Sequence, residues 1–115
     1  MKVRLHLDRQ ALFCDETSEY RIPPEPDYNE RVTIRFRTAR DNADQVYLIC
    51  GTTETKMEKR KSEGEFDYYE GIICLREDAI HYYFEISRGK ELCYYNKLGC
   101  TTDIQEAYSF CITPG

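Results

Sequence analysis

Three features of the sequence predict an all-β protein, an antiparallel β-sandwich of about seven to eight strands. Short segments with apolar residues at every second position recur along the chain. Polar stretches rich in Gly, Pro, Asn or Asp separate them. No segment repeats its apolar residues at helical spacing for long enough to make a packed helix.

The elements follow in order. Lys2 to Leu7 alternates Val3, Leu5 and Leu7 with Lys2, Arg4 and His6 and reads as a first strand, leaving His6 on a polar, solvated face. Ala11 to Cys14 is a short apolar patch. Asp15 to Asn29 holds Pro23, Pro24 and Pro26 among acids and reads as an extended surface connection, since proline removes the ladder donor and blocks a helix. In Arg31 to Thr38, Val32, Ile34 and Phe36 point inward and Thr33, Arg35 and Arg37 outward. Asp41 to Asp44 turns the chain into Gln45 to Cys50, with Val46, Leu48 and Cys50 inward and Tyr47 outside. Gly51 to Gly64 is polar and has room for one helical turn.

Phe66 to Leu75 ends in Ile72-Ile73-Cys74-Leu75 and reads as a central strand covered on both faces near its end. Ile80 to Asn96 forms the clearest supersecondary unit, two strands joined by a tight turn at Ser87-Arg88-Gly89-Lys90. Ile80, Tyr82, Phe84 and Ile86 share one face, and His81, Tyr83 and Glu85 the other. After the turn Leu92 and Tyr94 alternate with Cys93 and Tyr95, and Tyr95 is read as outward. Gly99 to Glu106 is a polar loop, and Ala107 to Thr113 a last strand with Tyr108, Phe110 and Ile112 inward.

At 115 residues the chain is one domain. A net charge of -5 argues against a nucleic-acid surface, which needs a basic face to neutralise phosphates. Lys56 to Lys61 is a local basic run, read as a solvated loop. No apolar run is long enough to span a membrane and no secretory signal opens the chain, which predicts a cytoplasmic protein with no membrane partner. Six cysteines at 14, 50, 74, 93, 100 and 111 would suit a secreted disulfide framework. Against that stand the missing signal and the apolar runs around Cys50, Cys74 and Cys111, where a thiol packs as a small hydrophobe. No C-x-x-C pair occurs and neither His6 nor His81 stands near cysteines in a ligand pattern, so no metal or other cofactor is expected. Nucleophile elbows, phosphate-binding glycine loops and zinc-protease motifs are also missing, and no catalytic residue is assigned.

Aromatic content stands out instead, with ten tyrosines, five phenylalanines and no tryptophan. Tyrosine offers a flat apolar face with a polar tip, suited to stacking on a sugar ring or to a wet protein interface. Alternation places Tyr47, Tyr83 and Tyr95 outside, and one of Tyr68 and Tyr69 must join them. These five residues are the candidate carbohydrate-binding or interface positions; covering a sheet face is their plain structural reading.

The order of Tyr20-Arg21-Ile22-Pro23, VTIRFRT from Val32, QVYLICG from Gln45, Met57-x-Lys59-x-x-Ser62, Phe66-Asp67-Tyr68-Tyr69-Glu70 and HYYFEI from His81 resembles a known domain. It is similar to the N-terminal domain of neopullulanase, cyclomaltodextrinase and maltogenic amylase, in the α-amylase family. That resemblance implies an immunoglobulin-like sandwich of the starch-binding, carbohydrate-binding module family 34 type, preceding a catalytic (β/α)8 barrel. It implies an accessory domain spanning residues 1–115, itself without catalytic residues, in a glycoside hydrolase acting on α-1,4 and some α-1,6 glucosidic bonds. The implied partners are an α-glucan (maltooligosaccharide, cyclodextrin, starch or pullulan), the parent's own barrel, and a second subunit whose active site the domain would narrow. The alternative is an interaction domain that docks on the barrel or partner subunit without binding sugar. The chain departs from the family pattern in having no tryptophan and no aromatic in Gly51 to Lys56.

Overall fold

A computed structural model describes residues 6–114. Two antiparallel sheets pack face to face. The smaller runs β1 (Arg21–Ile22), β2 (Arg31–Ala39), β6 (Phe66–Cys74), β5 (Glu58–Glu63) across its width. The larger runs β4 (Thr53–Lys56), β3 (Gln45–Cys50), β7 (Ile80–Arg88), β8 (Glu91–Asn96), β9 (Gly99–Thr101). A last strand, β10 (Phe110–Ile112), pairs with Tyr82, His81 and Ile80, taking over from β8 along the same edge of β7.

The alternation read in β2 and β7 is the alternation observed, and in β3 it holds through Leu48, after which Ile49 is buried at 6% exposure and Cys50 is half-buried. Val32, Ile34, Phe36, Val46, Leu48, Tyr82, Phe84 and Ile86 are all buried between the sheets. The middle of the core is aromatic. Phe36 meets Phe84 at 4.5 Å between ring centroids and Tyr95 at 5.4 Å edge-on, and Phe110 stacks on Tyr82 at 5.5 Å. Such pairs add roughly 0.5–1.5 kcal/mol beyond the area they bury.

Several expectations are corrected. Gly51 to Gly64 holds no helical turn; it forms β4 and β5, the edge strands of different sheets. An edge strand with little or nothing packed on it needs no apolar face, and charge there protects the open edge. The chain crosses from one sheet to the other at Met57, which is buried and whose amide donates to the Val46 carbonyl at 2.8 Å. Ile72 is 54% exposed, so β6, though central, is covered on one face only. Part of the Gly99 to Glu106 loop pairs as β9. Tyr108 is exposed, because Glu106–Tyr108 is a 3-10 turn and the last strand starts at Phe110. The strand expected over Lys2 to Leu7 lies outside the described residues except for its last two; Leu7 is buried, and the exposed His6 Nδ1 is 3.5 Å from Glu91.

Two polar clusters are buried with their partners. Arg21 is 6% exposed and its Nε and Nη2 donate to the Tyr82 hydroxyl at 3.2 and 2.8 Å, joining β1 of one sheet to β7 of the other. Glu16 meets the same guanidinium at 3.0 Å. At the opposite side Asp67, fully buried, accepts from the Ser62 hydroxyl at 2.5 Å and the Asp41 amide at 2.9 Å, with Lys59 Nζ at 3.1 Å. Burial alone would push the Asp67 carboxyl up; these three donors outweigh it and hold its pKa below the usual value.

A depressed folded pKa contributes stability that is present above the unfolded value of about 3.9 and is lost as pH falls through the folded value. Asp67→Asn should therefore cost about 1–3 kcal/mol at neutral pH, as expected for a buried polar network deprived of one partner. The gap between wild type and variant should narrow as urea midpoints are taken from pH 5 down towards pH 2. A gap independent of pH would show that the Asp67 carboxylate is not what Ser62 and Lys59 stabilise.

Candidate functional site: the outer face of the larger sheet

The registers decide which tyrosines meet. Tyr47 on β3 lies opposite Glu85 on β7, and Glu85 lies opposite Tyr94 on β8. The row continues to Lys56 on β4 and Thr101 on β9. One step along, Ile49 on β3 separates Glu54 from Tyr83. Directly opposed residues on neighbouring strands share a face, so these side chains form one surface on the outside of the larger sheet, with Ile49 buried beneath its neighbours. The Tyr83 and Tyr94 rings meet edge-on at 6.2 Å.

The surface is acidic as well as aromatic. Partial burial pushes the Tyr94 phenol up, and the Glu85 carboxylate opposite it pushes it further. Partial burial also raises Tyr83, helped by Glu106, Tyr94, Glu85 and Glu54. Both hydroxyls therefore stay neutral around pH 7. Beside Tyr83 lies a hollow of about 570 Å³, lined by Thr52, His81, Tyr83, Glu106 and Ser109 among others. A carboxylate between two phenol rings offers acceptors for hydroxyl groups and flat apolar faces next to them. That combination suits a polyol with one apolar face.

The five positions chosen from sequence are thus divided. Tyr47 and Tyr83 share the face just described. Tyr68 is on the far side of the molecule, on the outer face of the smaller sheet, with Lys61 Nζ 5.2 Å from its ring centroid. Around it Arg35 pairs with Glu70 at 2.9 Å and Arg37 stacks on Phe66 at 4.2 Å. The basic run Lys56 to Lys61 is also partly occupied: Lys59 reaches Asp41 and Asp67, and Arg60 reaches Glu58. Tyr69 is buried at 6% exposure opposite Phe36.

Tyr95 is the main correction: it is 9% exposed and points into the core, with Phe36 and Phe110 against it. The outward residue is its neighbour Tyr94, missed in the sequence. The signal was available. Only Gly89 and Lys90 form the loop, with Gly89 at φ +57°, so Arg88 pairs with Glu91, Ile86 with Cys93 and Phe84 with Tyr95. Counting back from that turn places Cys93 and Tyr95 beside the inward Ile86 and Phe84, whatever their hydrophobicity.

Residues 9–113 match the family model described as "Alpha amylase, N-terminal ig-like domain". The chain belongs to this family. Solved structures that resemble this N-terminal ig-like domain include a cyclomaltodextrinase, at TM-score 0.78 and 18% identity over 90% of this chain and 19% of that one. A maltogenic amylase from S. marinus matches at TM-score 0.73 and 12% identity over 100% of this chain and 16% of the other. A type III pullulan hydrolase from Thermococcus kodakarensis matches at 0.62 and 14%, over 88% and 16%. At such identities the likeness is one of fold, and the domain spans under one fifth of the length of each of these chains.

The register makes a direct stability prediction. Tyr95→Ala should cost about 3–5 kcal/mol in urea denaturation, the range for removing a core aromatic. Tyr94→Ala should cost no more than about 1 kcal/mol, the scale of one cross-strand pair. Equal losses, or the reverse order, would contradict the observed phase of β8.

Proposed function

We propose that this chain is the non-catalytic accessory domain of an α-amylase-family glycoside hydrolase, and that it binds α-glucan on the outer face of its larger sheet. The observation that carries the reading is the row Tyr47–Glu85–Tyr94 with Tyr83 beside it. Glucose presents an apolar ring face bordered by hydroxyls; Tyr83 and Tyr94 supply ring faces, and Glu85, Glu54 and Glu106 supply acceptors. The family, and the names of its solved neighbours, support α-glucans as the ligand class, among them cyclodextrin, maltooligosaccharide, starch and pullulan. In this proposal the parent cleaves α-1,4 and some α-1,6 bonds in a (β/α)8 barrel that this domain precedes, in a cytoplasmic setting. The domain also shapes that active site where two subunits meet.

A second reading, docking on the barrel or a partner subunit without sugar, rests on a different region. Where β3 and β6 end, a groove of about 670 Å³ opens between the sheets, lined by Leu48, Cys50, Ile72, Ile73 and Ile80 among others. Ile72 at its rim is the kind of exposed apolar side chain that a protein contact covers.

Native gel electrophoresis with amylopectin in the gel separates the two. Glucan binding predicts retardation of the domain, reduced roughly tenfold in affinity by Tyr94→Ala or Tyr83→Ala, equivalent to about 1.4 kcal/mol. Tyr68→Ala, on the other sheet, should leave retardation unchanged. Migration unaffected by amylopectin would favour the docking reading.

A further inference from the structure

We propose that Cys93 and Cys100 form an oxidisable thiol pair that a peroxide converts to an intramolecular disulfide across β8 and β9. The placement comes from the sheet register. Cys93 faces the core beside Ile86, and two residues on, Tyr95 pairs with Cys100. The two cysteines are therefore diagonal neighbours on the inner face of adjacent strands. Cys93 is 1% exposed; Cys100 is half-buried against the core and gives the pair its opening to solvent.

The surroundings differentiate the two sulfurs. The Cys100 thiol donates to the Arg9 carbonyl at 3.6 Å, and Cys93 lies diagonally across from it on the neighbouring strand. Donation from Cys100 lowers the pKa of Cys93; burial opposes this and Arg9 assists it, with Glu91 as the opposing charge. Cys100, as the donor, is raised. Burial pushes the Cys14 and Cys50 thiols up. The lowered pKa favours Cys93 as the attacking sulfur, and its diagonal neighbour Cys100 is placed to resolve it.

The chemistry balances with a peroxide as oxidant. The Cys93 thiolate attacks one peroxide oxygen, the O–O bond breaks, and protonation of the leaving oxygen releases water (from hydrogen peroxide) and leaves a sulfenic acid. The Cys100 sulfur then displaces that hydroxyl, forming the S–S bond; the hydroxide takes up the proton lost by Cys100 and leaves as a second water. Two thiols lose two electrons and the peroxide gains them. As diagonal neighbours on adjacent strands, the two residues must draw together to bring their sulfurs to bonding distance. β9 is a three-residue strand at the sheet edge, so the adjustment falls where the backbone is least held.

The reduced 115-residue chain is treated with hydrogen peroxide, capped with N-ethylmaleimide and digested with trypsin, which cleaves after Lys97 between the two cysteines, and with a glutamyl endopeptidase, which cleaves after Glu106 and separates Cys100 from Cys111. A linked Cys93–Cys100 peptide pair should predominate, in a chain about 2 Da lighter before capping, and dithiothreitol should reverse it. Cys100→Ser should instead accumulate an added oxygen at Cys93. The proposal is overturned if all six thiols remain alkylatable, if another cysteine pair is linked, or if Cys93 in the Cys100→Ser variant takes up no oxygen.

Discussion

The two-residue turn at Gly89-Lys90 is the constraint on which the arrangement of the larger sheet depends. It sets Phe84 against Tyr95 and Ile86 against Cys93, and so seats two β8 side chains in the core beside Phe36 and Phe110. By the same step it turns Tyr94 outward against Glu85. A one-residue slip would exchange every side chain of β8 between core and surface, burying Leu92 and Tyr94 and exposing Cys93 and Tyr95. Core and candidate site are opposite faces of one register.

The rest of the sandwich holds that sheet against its partner by burial and by a few polar contacts with little slack. Arg21 on β1 donates twice to Tyr82 on β7, so a buried guanidinium is satisfied only when the sheets are correctly opposed. Asp67, with Ser62, Lys59 and the Asp41 amide, ties β5 and β6 to the turn before β3. Neither cluster reaches the Tyr47–Glu85–Tyr94 surface. The outer face can therefore vary in chemistry while the sandwich persists, as the low identity to solved neighbours of the same fold illustrates.

The fold was largely legible because central strands bury one face. Val32, Ile34 and Phe36, or Val46 and Leu48, alternate with polar residues for that reason alone. Edge strands have no such requirement. Thr53–Lys56 and Glu58–Glu63 carry charge and hydroxyls throughout, so their sequence looks like loop. The site was legible in kind and only partly in position. Tyr47 and Tyr83 follow from alternation on strands whose phase is plain. Tyr94 does not, because in Leu92-Cys93-Tyr94-Tyr95 both alternating sets are apolar enough to be buried. Only the pairing across the turn chooses between them. Tyr68 shows the other gap: alternation says that a residue is outside, not which sheet it is outside of.

Amide chemical-shift mapping of the domain titrated with β-cyclodextrin and maltoheptaose tests the central claim most directly. Glucan binding on the outer face of the larger sheet gives saturable shifts concentrated on Tyr47, Ile49, Tyr83, Glu85 and Tyr94 and around Thr52 and Glu106, with β2, β5 and β6 unmoved. Shifts confined to the smaller sheet around Tyr68, or none at millimolar ligand, would contradict it.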